Sequence, residues 1–194
     1  GDAALKYGYG QTVTTEQDNS YLTEVNGTLA GLSGQNQNLI SGYLNSASVE
    51  DKTFAGIGNN GSTTATAGDV TVKATEKTTL DSTAGAASAG GSASGGISLN
   101  LVILNGTAEA RLGGNVQAGA GNVRVIAENI LNVDNMMAIG GGAAGSASMA
   151  GTITILKVGE QAKAYIAPNA VVAAGGNVII LADSSQKILV INGS

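Results

Sequence analysis

Gly121-Asn122-Val123-Arg124-Val125-Ile126-Ala127 opens a phrase that restarts at Gly176-Asn177-Val178. Between the two openings lie Asn129-Ile130-Leu131-Asn132-Val133 and a small-residue tract over 139–148. Three apolar alternations follow: Thr152-Ile153-Thr154-Ile155-Leu156, Ala162-Lys163-Ala164-Tyr165-Ile166 and Ala170-Val171-Val172-Ala173-Ala174. An earlier opening stands at Gly68-Asp69-Val70, so the three valines are 53 and 55 positions apart. A worn copy fits at Gln11-Thr12-Val13, 57 positions before Val70. Self-similarity at a fixed period is the mark of a repeat architecture and is read before any local motif.

Each copy divides in two. β-rich openings recur at Val70, Ile97, Val123, Ile153 and Val178, in steps of 27, 26, 30 and 25. Each step holds about three short alternations, and period two places successive side chains on opposite faces of a strand. Sustained 3.6-residue periodicity is missing, because Gly and β-branched residues interrupt every candidate helix. The expectation is an all-β parallel β-helix (solenoid) of about seven rungs of about 27 residues, three short strands per rung. At the usual strand spacing the rod would be about 30–35 Å long. The chain reads as one repeat segment over 1–194: degenerate over 1–66, clear over 67–119 and 120–174, partial over 175–194. It begins in mid-pattern and closes in a strand without a polar cap. An internal piece of a much longer protein is therefore expected.

Thirty glycines, one phenylalanine and no tryptophan make a core of small and β-branched side chains, suited to thin, close-packed layers. Charged residues are 12 % of the chain and the net charge is −5, with no basic run. Nucleic acid and anionic membrane are disfavoured as partners, since both need clustered Lys and Arg. With neither Cys nor His, disulfides and the usual zinc and nucleophile–base constellations are excluded. No apolar run is long enough to span a bilayer as a helix, and stable membrane insertion is not expected.

Local motifs read more simply as structure than as chemistry. Gly56-x-Gly58-x-x-Gly61 and Gly140-x-Gly142-x-x-Gly145 match a dinucleotide fingerprint in letters, but no helical pattern follows either. Asp81 and Asp134 occupy equivalent places, and rungs of about 27 residues would hold them two rungs apart, about 10 Å. That is too wide for a retaining carboxylate pair. Glu109 and Arg111 stand where the next copy has Lys163 and Tyr165, the drift expected of solvated positions. Catalytic residues, metal ligands and cofactor-binding residues are thus expected to be none, and no cofactor is expected. Tyr7, Tyr9, Tyr21 and Tyr43 are candidate ligand contacts, exposed tyrosines being good sugar- and protein-binding platforms; the alternative is that they fill an irregular core. Asn26, Asn60, Asn105 and Asn192 each head an Asn-Gly-Ser/Thr glycosylation sequon, and tight Asn-Gly turns account for all four without sugar.

The phrase Ala67-Gly68-Asp69-Val70-Thr71-Val72-Lys73-Ala74, the small-residue tract, Ser98-Leu99-Asn100-Leu101-Val102 and Ala108-Glu109-Ala110-Arg111-Leu112-Gly113-Gly114 form one recurring sentence. It resembles the repeats of very large secreted bacterial proteins: filamentous-haemagglutinin-like adhesins, the leukotoxin group among them, and autotransporter passengers. The resemblance covers residues 60–194 well and 1–59 loosely. It implies a right-handed parallel β-helical shaft, extracellular and secreted or held at the bacterial surface. Its implied partners are an outer-membrane β-barrel transporter during export and a protein or glycan receptor on host or bacterial cells. The family carries no catalytic motif to transfer, so a non-enzymatic adhesive shaft is expected. The alternatives are a polysaccharide lyase or hydrolase, which would need converging charges in one groove, and part of a secreted cytotoxin.

Overall fold

The computed structural model describes residues 7–8, 11–25, 29–30, 38–90 and 93–194, with side-chain surroundings for residue 48 and residues 50–86 and 94–194. Every regular element among them is a strand. In chain order these are β1 (Tyr7–Gly8), β2 (Gln11–Val25), β3 (Leu29–Ala30), β4 (Asn38–Ile57), β5 (Ser62–Ala65), β6 (Val70–Gly90), β7 (Ala93–Leu112), β8 (Asn115–Ala118), β9 (Val123–Ala144), β10 (Ala147–Ile166), β11 (Val171–Ala174) and β12 (Val178–Gly193).

They form three parallel sheets, ordered β1-β5-β8-β11, β2-β6-β9-β12 and β4-β7-β10, with β3 also pairing β6. The chain runs out along a long strand such as β6, returns along β7, crosses the short β8 and starts again at β9. The outgoing and returning sheets face each other. Ser82 on β6 meets Asn100 on β7 through a 2.9 Å hydrogen bond between their side chains. A strand of about 20 residues is about 65 Å long at the usual rise, so each coil is long and flat.

The expected rung of about 27 residues is corrected by the register. Val70 pairs with Val123 and Val123 with Val178, Ala93 with Ala147, and Asn115 with Val171. The stacking step is therefore the whole phrase, 53–56 residues in these pairs and up to 59 from the first copy, and three long-armed coils and part of a fourth replace seven short rungs. Stacked strands at about 4.8 Å make the described stack about 15 Å tall, half the expected length. The half-period arises because both arms alternate apolar and polar residues for the same reason, each having one face inward. It does not reflect stacking: Val70 is fully buried, whereas Ile97 points outward and is 42 % exposed. The worn first copy registers two residues earlier than its letters suggest, Gln11 on Val70, which keeps the same residues on the same face.

The corner that the sequence repeats is a side-chain ladder. The Asn122 backbone N–H and side-chain amide both donate to Asp69 Oδ1 (2.7 and 3.0 Å), and the Asn177 N–H donates to Asn122 Oδ1 (2.9 Å). Arg124 pairs with Asp69 Oδ2. Each Asx side chain thus satisfies the amide of the coil above, which removes an otherwise orphaned donor at the turn. Gly68 has φ +120°, a backbone conformation that L side chains rarely adopt, and Gly121 lies directly over its carbonyl.

Two apolar clusters fill the coil. One joins Ile57, Val70, Val72, Leu112, Val116, Val123 and Val125 with small alanines, next to the short strands. The other joins Leu80, Val102, Leu104, Leu131, Val133 and Met136 midway along the arms. Beyond Ser82, Ser98 and Asn100 the arms converge on the Gly/Ala/Ser tract. A side chain on Gly96 would overlap the carbonyls of Ala86 and Gly141, so the facing sheets touch almost backbone to backbone there. The layer that approaches these tracts is the chain's own returning arm. A bulge in β9 inserts Asp134: Leu80 pairs with Val133, but Asp81 pairs with Asn135. The extra residue lets Met136 and Ala138 resume the inward phase, and both are fully buried.

Candidate functional site

Between the two apolar clusters lies a polar layer. Its residues continue the inward parity of the strands: Val70, Val72 and Ala74 lead to Glu76 and Thr78, and Val123, Val125 and Ala127 lead to Asn129. Facing them, Asp51, Gly106 and Glu160 stack in register on β4, β7 and β10, with Thr53 two residues beyond Asp51. Glu76 is fully buried and Asn129 is 1 % exposed. Thr53 donates its hydroxyl to Glu76 Oε2, and Thr78 Oγ1 lies 3.5 Å from Glu76 Oε1. Asn129 Nδ2 donates to the Gln161 carbonyl at 3.2 Å. Glu160 Oε2 occupies the space that a side chain at Gly106 would fill. Neither Glu160 Oε2 nor Asn129 Oδ1 has a hydrogen-bond partner.

Burial pushes the Glu160 carboxyl above its ordinary range; contact with Asn129 offsets part of this, and the charges of Glu76 and Asp51 add to the rise. Parity counted from Val70 is the signal that locates Glu76 in advance. Glu160 was hidden by a phase problem: in Thr152-Ile153-Thr154-Ile155 the isoleucines face outward, 54 % and 48 % exposed, and the threonines face in. Among the described residues no three His, Cys, Asp or Glu side chains form a group that could hold a metal ion.

The outer faces carry cross-strand pairs. Lys52 reaches Glu109 at 3.5 Å, and Tyr165 donates its hydroxyl to the same carboxylate at 2.7 Å. That bond, with some burial, raises the Tyr165 phenol above its ordinary value. Lys73 pairs with Glu128 at 2.8 Å. Lys163 and Tyr165 do stack on Glu109 and Arg111 as the sequence comparison of copies expects. A shallow corner cleft of about 250 Å³, lined by Gln117, Ala118, Gly119, Ala173, Ala174 and Gly175, has no titratable side chain.

The separation expected for Asp81 and Asp134 is corrected. They stand on adjacent strands β6 and β9, about 5 Å apart in backbone spacing, because the coil is twice as long as assumed. Asp134 is half exposed at the bulge, and Lys187 on the next strand reaches it at 3.8 Å. The distance argument against a carboxylate pair therefore falls.

Among the candidate tyrosines, Tyr7 registers with Thr64, Tyr21 with Leu80 and Tyr43 with Ser98; their side chains, and Tyr9 altogether, lie outside the described residues. Among the sequons, Asn60 is an exposed turn residue, as expected of Asn-Gly. Asn105 and Asn192 instead sit within β7 and β12, which corrects the turn explanation: Gly106 is glycine because the Glu160 carboxyl takes its place. Asn26 lies outside the described residues. The two glycine-rich fingerprints sit at the end of β4 and the end of β9, each leading into a turn or bend and another strand. Comparison with known proteins returns no matching family model, no curated relative and no solved structure of significant similarity.

Proposed function

We propose that the chain is a structural and adhesive shaft: a right-handed parallel β-helix belonging to a large secreted or surface-anchored bacterial adhesin that attaches to host or other cells. The single observation that carries this reading is the stacking of like on like. All three sheets are parallel, and each coil repeats the last at a step of 53–59 residues. Such stacking builds an elongated repeat body whose outward positions vary while its inward ones hold shape. Binding would then sum over many weak contacts along a repeating face. In this reading a β-barrel transporter exports the chain, and a protein or glycan on the target cell is its receptor.

The test is binding of the labelled chain to a panel of mammalian and bacterial cells, with an unrelated β-helical shaft of equal length as control. Saturable binding above control is expected, weakened by Tyr→Ala changes at Tyr7, Tyr9, Tyr21 and Tyr43. Binding equal to the control reduces the shaft to a spacer and removes the adhesive part of the reading.

A second reading draws on the bulge. Asp81, Asp134 and Lys187 share one outer face on three adjacent strands, the residue types that polysaccharide-cleaving β-helices gather. Release of reducing ends or unsaturated sugars from acidic polysaccharides, lost in Asp134→Asn, is its signature; no product from a broad panel eliminates it.

A further inference from the structure

We infer that the outer face of the returning sheet is an interface between two copies of this chain, packed face to face through β7 and β10. Two outward rows carry it. On β7, Ile97, Leu99, Leu101 and Ile103 alternate with the inward Ser98, Asn100, Val102 and Leu104. On β10, Met149, Ile153 and Ile155 register on Gly95, Leu99 and Leu101, so the two rows lie side by side. Ile97, Met149, Ile153 and Ile155 are between 42 % and 57 % exposed. The run Leu101-Val102-Ile103-Leu104 is apolar on both faces, and strands of a parallel sheet read that way when a layer covers each side. Val102 and Leu104 find their layer in the core. The outer layer is what a second copy supplies.

The outgoing sheet shows what this chain sets against water. Its outward positions include Thr71, Lys73 and Lys77 on β6 and Arg124, Glu128 and Asn132 on β9. Ile126 and Ile130 stand between those polar neighbours, and scattered apolar residues of that kind are normal on a surface. The patch on the returning sheet is contiguous instead. Nor is it an edge effect: β12 exposes apolar residues as the last strand of its sheet, whereas β7 is paired on both sides.

Shape and charge select the occupant. The patch is flat and aliphatic, without the aromatic rings or arginine that anchor a peptide or an unlike protein. Its side chains stand on the lattice of a sheet, about 4.8 Å between strands, and the surface that matches is another sheet face about 10 Å away. Charge sets the direction. β4 has no charged residue before Glu50, β7 none before Glu109 and β10 none before Lys157. A two-fold axis through the patch sets the strands of the two copies antiparallel. The uncharged leading parts then lie on each other, and both charged trailing parts stay in water. The patch is of the few-hundred-Å² size that marks interaction sites, below the about 800 Å² each partner gives to a standard interface. A weak, concentration-dependent dimer follows. It is a property of the flank of the coil and stands whether or not the shaft binds cells.

The test is sedimentation velocity of the 194-residue chain from about 1 μM to about 1 mM. Monomer should pass to dimer and stop there. Ile153→Lys combined with Ile155→Lys should raise the dissociation constant by about 100-fold or more, with an unchanged circular dichroism spectrum. Should that variant fail to fold, single cysteines in the otherwise cysteine-free chain decide. Ile153→Cys, near the axis, should give a disulfide-linked dimer under mild oxidation, and Thr71→Cys on the opposite face should not. A chain that is monomeric at every concentration overturns the inference, as does a dimer indifferent to the two lysines or cross-linked through Thr71→Cys alone. Open-ended growth of oligomers also overturns it, because that is the behaviour of coils stacked end to end. So does a monomer that binds phosphatidylcholine vesicles and loses them in the lysine variant, which would make the face a lipid surface.

Discussion

The two ends of each coil keep their sheets together by opposite means. Near the short strands, Ile57, Val72, Leu112 and Val125 hold the arms apart and fill the space between them. At the far end, Gly96, Gly140 and Gly141 remove side chains so that facing backbones meet. The thick end gains from apolar area taken out of water. The thin end gains from close contact of atoms that carry no side-chain entropy to lose. Sheet separation is thus written in side-chain volume, residue by residue, and the two ends should fail under opposite changes.

The largest effect is expected from removing atoms at the thick end. Leu112→Ala opens a cavity in the first apolar cluster and should cost about 3 kcal/mol, read as a lower denaturant midpoint at unchanged slope. A loss under about 1 kcal/mol would mean that the end collapses to fit. Adding atoms at the thin end comes next. Gly96→Ala places a methyl group against the carbonyls of Ala86 and Gly141, which cannot rotate away, and should cost about 2 kcal/mol. A neutral Gly96→Ala would show that the arms are held apart there, and would break the comparison. Smaller still is the corner: Asn122→Ala removes one donor to Asp69 and the acceptor for Asn177, for about 1 kcal/mol.

The corner also has a pH signature of its own. The Asn122 backbone N–H, above all, holds the Asp69 carboxyl below its ordinary range, with Arg124 adding to it against some burial. A lowered carboxylate contributes stability above its unfolded-state value and loses it as pH falls through the folded one. The parent chain should therefore lose stability at the acid extreme, and Asp69→Asn should flatten that limb alone. An acid limb unchanged in Asp69→Asn would mean that the corner carboxylate does not contribute to it.

How much of this was legible varies with what each feature depends on. The corner was legible residue by residue, because Gly68-Asp69-Val70 and its copies recur as contiguous words and stack where the words match. The length of the coil was half legible: the step of 53 and 55 was visible, but likeness between outgoing and returning arms suggested a step half as long. The polar layer was not read at all. Glu76 and Glu160 are 84 positions apart and share no motif; only the fold-back of each coil brings their arms face to face. Asp81 and Asp134 moved closer for the same reason.

By itself, the sequence determined the local rules: period-two alternation makes strands, the recurring Gly-Asx-Val word marks a corner, and recurrence makes the strands stack in parallel. These are properties of neighbours along the chain, and backbone sterics and side-chain parity act at that range. Which face of each strand turns inward, and which residues meet across the core, was decided by the tertiary structure alone. Alternation is symmetric under exchange of its two faces, and only burial against a partner layer breaks that symmetry.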